Sequence, residues 1–276
     1  MTVWEVLGST APHALVQGRI ELHWAVQVVA AAADAWLVAR PDDSHTAMTW
    51  HPQLGALVGE SAASGLAIGI RPGDLHALVI RDNEPVDSLA ISGHTLAELL
   101  VWADAHFAAG APLRAIHART YDMPAHAVAN GAPFTGDAPA LGELARWYAD
   151  ATLVLAELVQ TEPRSTPLRV WPHHFDLGAI VFLDEPGEHA RQIGIGLSPG
   201  DRYYAEPYFY VTPHPIPDAA TYPALASGGV WRREDFTGAI LTATSLVEGT
   251  SDANEQHTRA TAFLASAIAG ARRVIG

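Results

Sequence analysis

The sequence contains no cysteine and no lysine. Without cysteine there is no disulfide, no thiolate nucleophile, no iron–sulfur cluster and no cysteine-ligated zinc. Without lysine there is no Schiff-base or pyridoxal-phosphate (PLP) chemistry, and no nucleotide motif of the Walker type, whose lysine reaches the phosphates. All sixteen basic residues are arginine, and thirty acidic residues leave a formal charge of -14. That balance argues against a nucleic-acid partner, which needs a basic face to release counterions. Long apolar runs are missing as well. The longest, residues 25–39, is broken by Gln27 and Asp34 and falls short of the roughly 18–20 residues of a membrane span. The opening MTVWEVLGST has neither the basic start nor the apolar stretch of a secretion signal. The expectation is a cytoplasmic protein with no membrane partner.

What is present is enough for a sizeable core: 276 residues, 49% of them hydrophobic. The segment after His13 reads as a helix around Leu22, Val26, Val29 and Ala33. AWLVAR (35–40), residues 46–50, LAIGI (66–70), LHALVIR (75–81) and VDSLAI (86–91) read as strands bounded by turn residues. Thr95-Leu-Ala-Glu98 is a capping box that opens a helix burying Leu96, Leu99, Leu100, Ala103 and Phe107 and stopping at Gly110 and Pro112. A second helix starts near Leu141 with Leu144, Trp147, Ala151, Leu155 and Leu158 on one face. Its carboxylates Glu143, Asp150 and Glu157 recur every seven residues and read as a solvated face. LGAIVFL (177–183), IGIGL (193–197) and YFYV (208–211) follow as strands, and a last helix covers about 253–272.

Residues 66–74, LAIGIRPGD, are echoed at 193–201 as IGIGLSPGD. Proline sets φ at the second turn position, and glycine supplies the positive φ that a type II turn needs at the third. The turn follows an equivalent strand in each half of the chain, which points to duplication. The expected fold class is α+β. One globular unit is built from two pseudo-repeat halves, 1–121 and 140–276, each a short antiparallel sheet flanked by helices. A Pro/Gly-rich linker, 122–139, joins them. The stretch 213–229 reads as a long surface loop.

The ordered set LHWAVQVV (22–29), SHTAMTW (44–50), DMP (122–124), WPHHFDLG (171–178), SPGD (198–201) and AEPYFYV (205–211) resembles the bacterial family called domain of unknown function 5996. The resemblance spans nearly the whole chain, and its last three motifs are the specific ones. It selects His23, His45, Asp176, Pro199, Gly200, Asp201 and Glu206 as motif positions, and the paired histidines of WPHHFD depart from the usual pattern. The family carries no known activity, so the resemblance implies architecture rather than chemistry.

The chemistry has to come from the residues. GLSPG (196–200) matches Gly-x-Ser-x-Gly, but the residue after the serine must donate its N–H to an oxyanion hole, and Pro199 has none. A serine nucleophile is rejected. WPHHFD is the most chemical stretch: if extended, it puts His174 and Asp176 on one face, able to chelate a metal or form an oriented base. Three consecutive antiparallel strands would bring the starts of the first and third to one end of a sheet, roughly 10 Å apart. His174, Asp176, Asp201 and Glu206 are then neighbours, with Tyr203, Tyr204, Tyr208 and Tyr210 lining the place.

The leading expectation is a metal- or His/carboxylate-assisted hydrolase or lyase acting on a small neutral molecule. His174, Asp176, Glu206 and Asp201 are its catalytic candidates. A divalent ion such as zinc would be held by His173, His174, Asp176 and Glu206, with His23 and His45 as further ligands. The other reading is a non-catalytic protein that uses the same pocket for a small ligand or a partner.

Overall fold

The computed structural model describes residues 3–106, 121–187, 189–218 and 221–276. Its contacts define two compact units: Ala14–Ala145 with Arg169–Phe175, and Met1–His13 with Arg146–Leu168 and Asp176–Gly276. Both are mixed α/β with antiparallel strand pairing.

The first unit begins with two helices, α1 (Val16–Ala25) and α2 (Gln27–Trp36). Residues 28–33 of α2 are buried on every side, as expected of a helix that is apolar all round. The strands β1 (Met48–His51), β2 (Ala56–Gly59), β3 (Leu66–Arg71), β4 (His76–Arg81) and β5 (Glu84–Ala90) form a meander, and the short β6 (Arg169–Val170) pairs with β1. The order is β6-β1-β2-β3-β4-β5.

The strand expected over AWLVAR is not formed. Its first two residues complete α2, and Leu37 N–H caps the helix on Ala33 O. Helix α3 (Leu96–His106) starts at the expected capping box: Thr95 N–H donates to Glu98 Oε2 at 2.7 Å and Glu98 N–H to Thr95 Oγ1 at 3.2 Å. Leu96, Leu99 and Ala103 are buried, while Phe107, Gly110 and Pro112 lie outside the described residues.

Helix α4 (Ala138–Thr161) corrects a second expectation. Glu143 and Asp150 are buried, at 0% and 1% exposure, and Glu157 alone of the three is exposed. Asp150 Oδ1 accepts the Glu5 backbone N–H at 3.0 Å, so the N-terminal segment covers a helix face that its own periodicity marks as polar.

The second unit carries β7 (Leu177–Phe182), β8 (Gln192–Ser198), β9 (Tyr208–His214), β10 (Val230–Arg232), β11 (Gly238–Thr242) and the helices α5 (Ala243–Val247) and α6 (Ala253–Ile275). The order is β7-β8-β9-β11-β10. Alternation along β8 separates two faces. Ile193, Ile195 and Leu197 point into a core shared with Phe209, Val211 and Leu241, whereas Gly194, Gly196 and Ser198 point the other way. Helix α6 packs on this sheet through buried Phe263, Leu264, Ala267 and Ala271.

The two Pro-Gly-Asp turns have different shapes. Residues 72–74 form one 3-10 turn in which Leu75 takes the left-handed conformation, φ 50°. At the second copy Gly200 takes it, φ 109°, as a type II turn requires.

Candidate functional site

WPHHFD straddles the division between the units: Phe175 closes a segment of the first, and Asp176 opens a segment of the second. It is not extended. Residues 172–174 form a turn, Phe175 N–H bonds back to Trp171 O at 2.7 Å, and Phe175 itself is left-handed at φ 59°. The strict face alternation that would pair His174 with Asp176 therefore does not apply.

Two buried polar side chains hold this turn within the first unit. The His23 imidazole donates through Nε2 to Pro172 O at 2.9 Å, and Gln27 Nε2 donates to the same carbonyl at 2.7 Å. The two residues are one helical turn apart across the α1–α2 junction, so both side chains reach the same point. The His23 ring also stacks on Phe175, 5.1 Å between centroids and 11° between planes. Burial, with Arg19, His174 and His173 nearby, lowers the His23 pKa to about 4, although the Pro172 bond acts against the shift. His23 is thus a neutral donor that fixes backbone.

The turn presents two histidines. His174 is exposed and His173 half-buried, their rings 4.4 Å apart. His173 also lies against Trp171 at 5.9 Å and Tyr121 at 5.7 Å. His45 is elsewhere in the first unit. Its Nδ1 accepts Arg40 N–H and its Nε2 donates to Asp34, both at 3.2 Å, which ties the loop after α2.

In the second unit, β7, β8 and β9 are consecutive antiparallel neighbours, as expected. Tyr210 donates to Asp176 Oδ2 at 2.5 Å. It reaches that far because Gly178, Gly196 and Tyr210 are successive partners across the sheet, and the two glycines leave a trough in which the phenol lies. Tyr208 donates to Asp201 Oδ2 at 2.6 Å. Burial first, then the partner carboxylates, raises both tyrosine pKa values, so both phenols stay protonated donors.

Asp201 Oδ1 also accepts the backbone N–H groups of Tyr203 (2.7 Å) and Tyr204 (3.0 Å), which makes it the organiser of the β8–β9 loop. Glu206 turns away to the start of α5, accepting from Thr244 N–H at 2.6 Å and Thr244 Oγ1 at 2.7 Å. The second unit therefore gathers Asp176, Asp201, Tyr208 and Tyr210, with the two tyrosine rings 6.4 Å apart. Glu206 belongs to a helix cap. Among the described residues, no three His, Asp or Glu side chains converge as metal ligands would.

A shallow apolar cleft in the first unit, with room for about one water, is lined by Val29, Ala33, Trp36, Leu66 and Ile68. Glu60, at its edge, is paired with Arg40 at 2.7 Å. None of the candidate residues lines it. Among the described residues, no helix is long and apolar enough to cross a membrane.

Comparison with family models, curated proteins and solved structures finds no match.

Sequence reasoning missed Gln27, the Pro172 carbonyl, the two trough glycines and Arg232, whose guanidinium lies over aromatic rings of the second unit. Gln27 had a signal: it is a polar interruption of an apolar run, four residues after His23. The glycines had one too, in the strict Gly/Ile alternation of IGIGL.

Proposed function

We propose that WPHHFD is the working centre of a His/carboxylate-assisted enzyme, of hydrolase or lyase type, acting on a small neutral molecule. One observation carries this reading. Two buried side chains, His23 and Gln27, converge on a single carbonyl to hold a turn that exposes His174 and half-exposes His173. The buried Pro172 carbonyl needs donors, and these two fix the one turn geometry that presents His174.

His174, the exposed member, moves the proton. Asp176, the carboxylate of the motif, is held by Tyr210 within the second unit. A divalent ion such as zinc, if bound, would be held through His173 and His174 of this turn and would supply a water ionised near neutral pH. Asp201 and Glu206 shape the loop and the helix start in this reading. Metal analysis of tag-free protein, with a panel of small esters, amides and hydroxy compounds, tests it. His174→Ala should abolish any turnover found while the melting temperature stays unchanged. Full turnover in the His173→Ala/His174→Ala double variant would sink the proposal.

The second reading, non-catalytic binding of a small ligand, is favoured by the protonated Tyr208 and Tyr210 hydroxyls on one face of the second unit's strands. It predicts ligand-induced stabilisation that survives His174→Ala and disappears in Tyr210→Phe.

The resemblance to domain of unknown function 5996 and an internal duplication belong to the same proposal. The duplication is supported by the helices that precede an antiparallel meander in each unit. A Pro-Gly-Asp turn follows β3 in one meander and β8 in the other.

A further inference from the structure

The β8–β9 loop and the β10–β11 turn of the second unit enclose a cation. The Arg232 guanidinium carbon lies 5.0 Å from the Tyr203 ring centroid, 5.6 Å from that of Tyr204 and 5.4 Å from that of Phe236. Tyr203 and Phe236 meet at 5.1 Å with planes tilted by 56°. Several rings around one positive group is the arrangement that recognises guanidinium and ammonium ions, because each ring face is electron-rich. Behind Tyr204, at 5.0 Å, stands Tyr208, which carries the Asp201 carboxylate and adds negative potential on that side.

Arg232 is a replaceable occupant of this cage. Nε donates to Glu234 O at 2.9 Å and Nη2 to Asp235 Oδ2 at 2.6 Å. Both acceptors lie within three residues on the same turn and stay within reach when the guanidinium swings off the rings, whereas its hydrogen bond to the Tyr204 side chain is the contact an incoming cation has to take over. Its side chain is 20% exposed, which gives a competing group access. The Tyr203 ring is also shared: Arg202 stands 4.8 Å from its centroid and donates to its hydroxyl at 2.6 Å. Two like charges on one ring weaken each other's hold.

We propose that the Tyr203–Tyr204–Phe236 cage binds a guanidinium or ammonium group of a small organic cation, which displaces Arg232 as the built-in occupant. The site uses neither His173 nor His174 and stands or falls independently of the centre proposed above.

Agmatine, which carries both groups, is the probe, titrated into the full chain against sodium chloride of equal ionic strength. Calorimetry and the ring-proton resonances of Tyr203, Tyr204 and Phe236 are the readouts. Arg232→Ala should bind about tenfold more tightly than the wild type, because no internal group competes for the rings. Adding Phe236→Leu should weaken that binding by about tenfold, since one wall of the cage is gone. Arg232→Gln serves where Arg232→Ala lowers the melting temperature below the assay. Absence of saturable binding in a folded Arg232 variant overturns the proposal, as does binding indifferent to Phe236→Leu. If neither variant folds, the wild type decides: ring resonances that stay unmoved at tens of millimolar agmatine overturn it.

Discussion

The Tyr210 hydroxyl reaches Asp176 at 2.5 Å only because residues 178 and 196 have no side chains. A Cβ at Gly178 would meet the Tyr210 hydroxyl at 2.5 Å, with the next neighbour, Ile195 O, at 3.3 Å. A Cβ at Gly196 would collide with the Leu177 carbonyl as well as with the phenol. Gly178→Ala should therefore cost about 1–3 kcal/mol in the wild-type background and far less once Tyr210→Ala has removed the obstacle. Gly196→Ala should stay costly in both, since the backbone clash persists. Urea unfolding of the three single and two double variants measures this. Equal rescue at both glycines would contradict the trough.

His23 makes stability depend on pH. Its folded pKa of about 4 lies below the ordinary 6.5, so the unfolded chain takes up the proton first. The contribution is complete above pH 6.5 and is lost as pH falls toward 4, amounting to roughly 3 kcal/mol at most. His23→Gln, which can still donate but does not titrate, should flatten the urea midpoint between pH 6.5 and 4. A wild-type slope that survives the substitution would assign it to other groups.

Gln256 should anchor the N-terminal segment to α6. It is fully buried, its Oε1 accepts Leu7 N–H at 2.9 Å, and its Nε2 donates to Leu7 O at 3.0 Å. Gln256→Leu leaves both Leu7 groups without this partner, at a cost of about 1–3 kcal/mol. Hydrogen exchange at Leu7 should accelerate before that of the α6 core.

Glu206 separates a catalytic role from a capping one. If it caps α5, Glu206→Gln should preserve ligand binding and any turnover and lower the melting temperature slightly, because an amide oxygen still accepts from Thr244. A large loss of turnover with unchanged melting would return it to the chemistry.

Elements marked by local signals were legible in the sequence. The Thr95/Glu98 box, strands β3, β4, β7, β8 and β9 and the apolar face of α6 all depend on neighbours a few residues away, whereas β2 was not read from the sequence. What failed were properties set by distant segments. Glu143 and Asp150 have the spacing of a solvated stripe, and only the folded chain shows that both are covered. β10 and β11 escaped notice because Val230–Arg232 is three residues long and leads straight into a charged turn.

The site divided in the same way. Sequence singled out WPHHFD and His23, yet what joins them is the carbonyl of Pro172, a backbone atom that no residue pattern announces. Asp201 was expected at the turn before the third strand and Glu206 early in that strand; their partners are a loop backbone and a helix start, and Glu206 precedes β9.

The second unit is assembled from three stretches of chain, the first ending at His13 and the last running to Gly276, whereas the first unit is complete once Phe175 has been made. A ribosome therefore releases the two in a fixed order. The β1–β6 body has all its parts while β7 to β11 are still unsynthesised, and residues 3–8 must wait for α6 before Leu7 can meet Gln256. Until then the opening segment is a tether without its anchor. Refolding from denaturant, where all segments are present at once, should follow a different sequence of events from folding during synthesis.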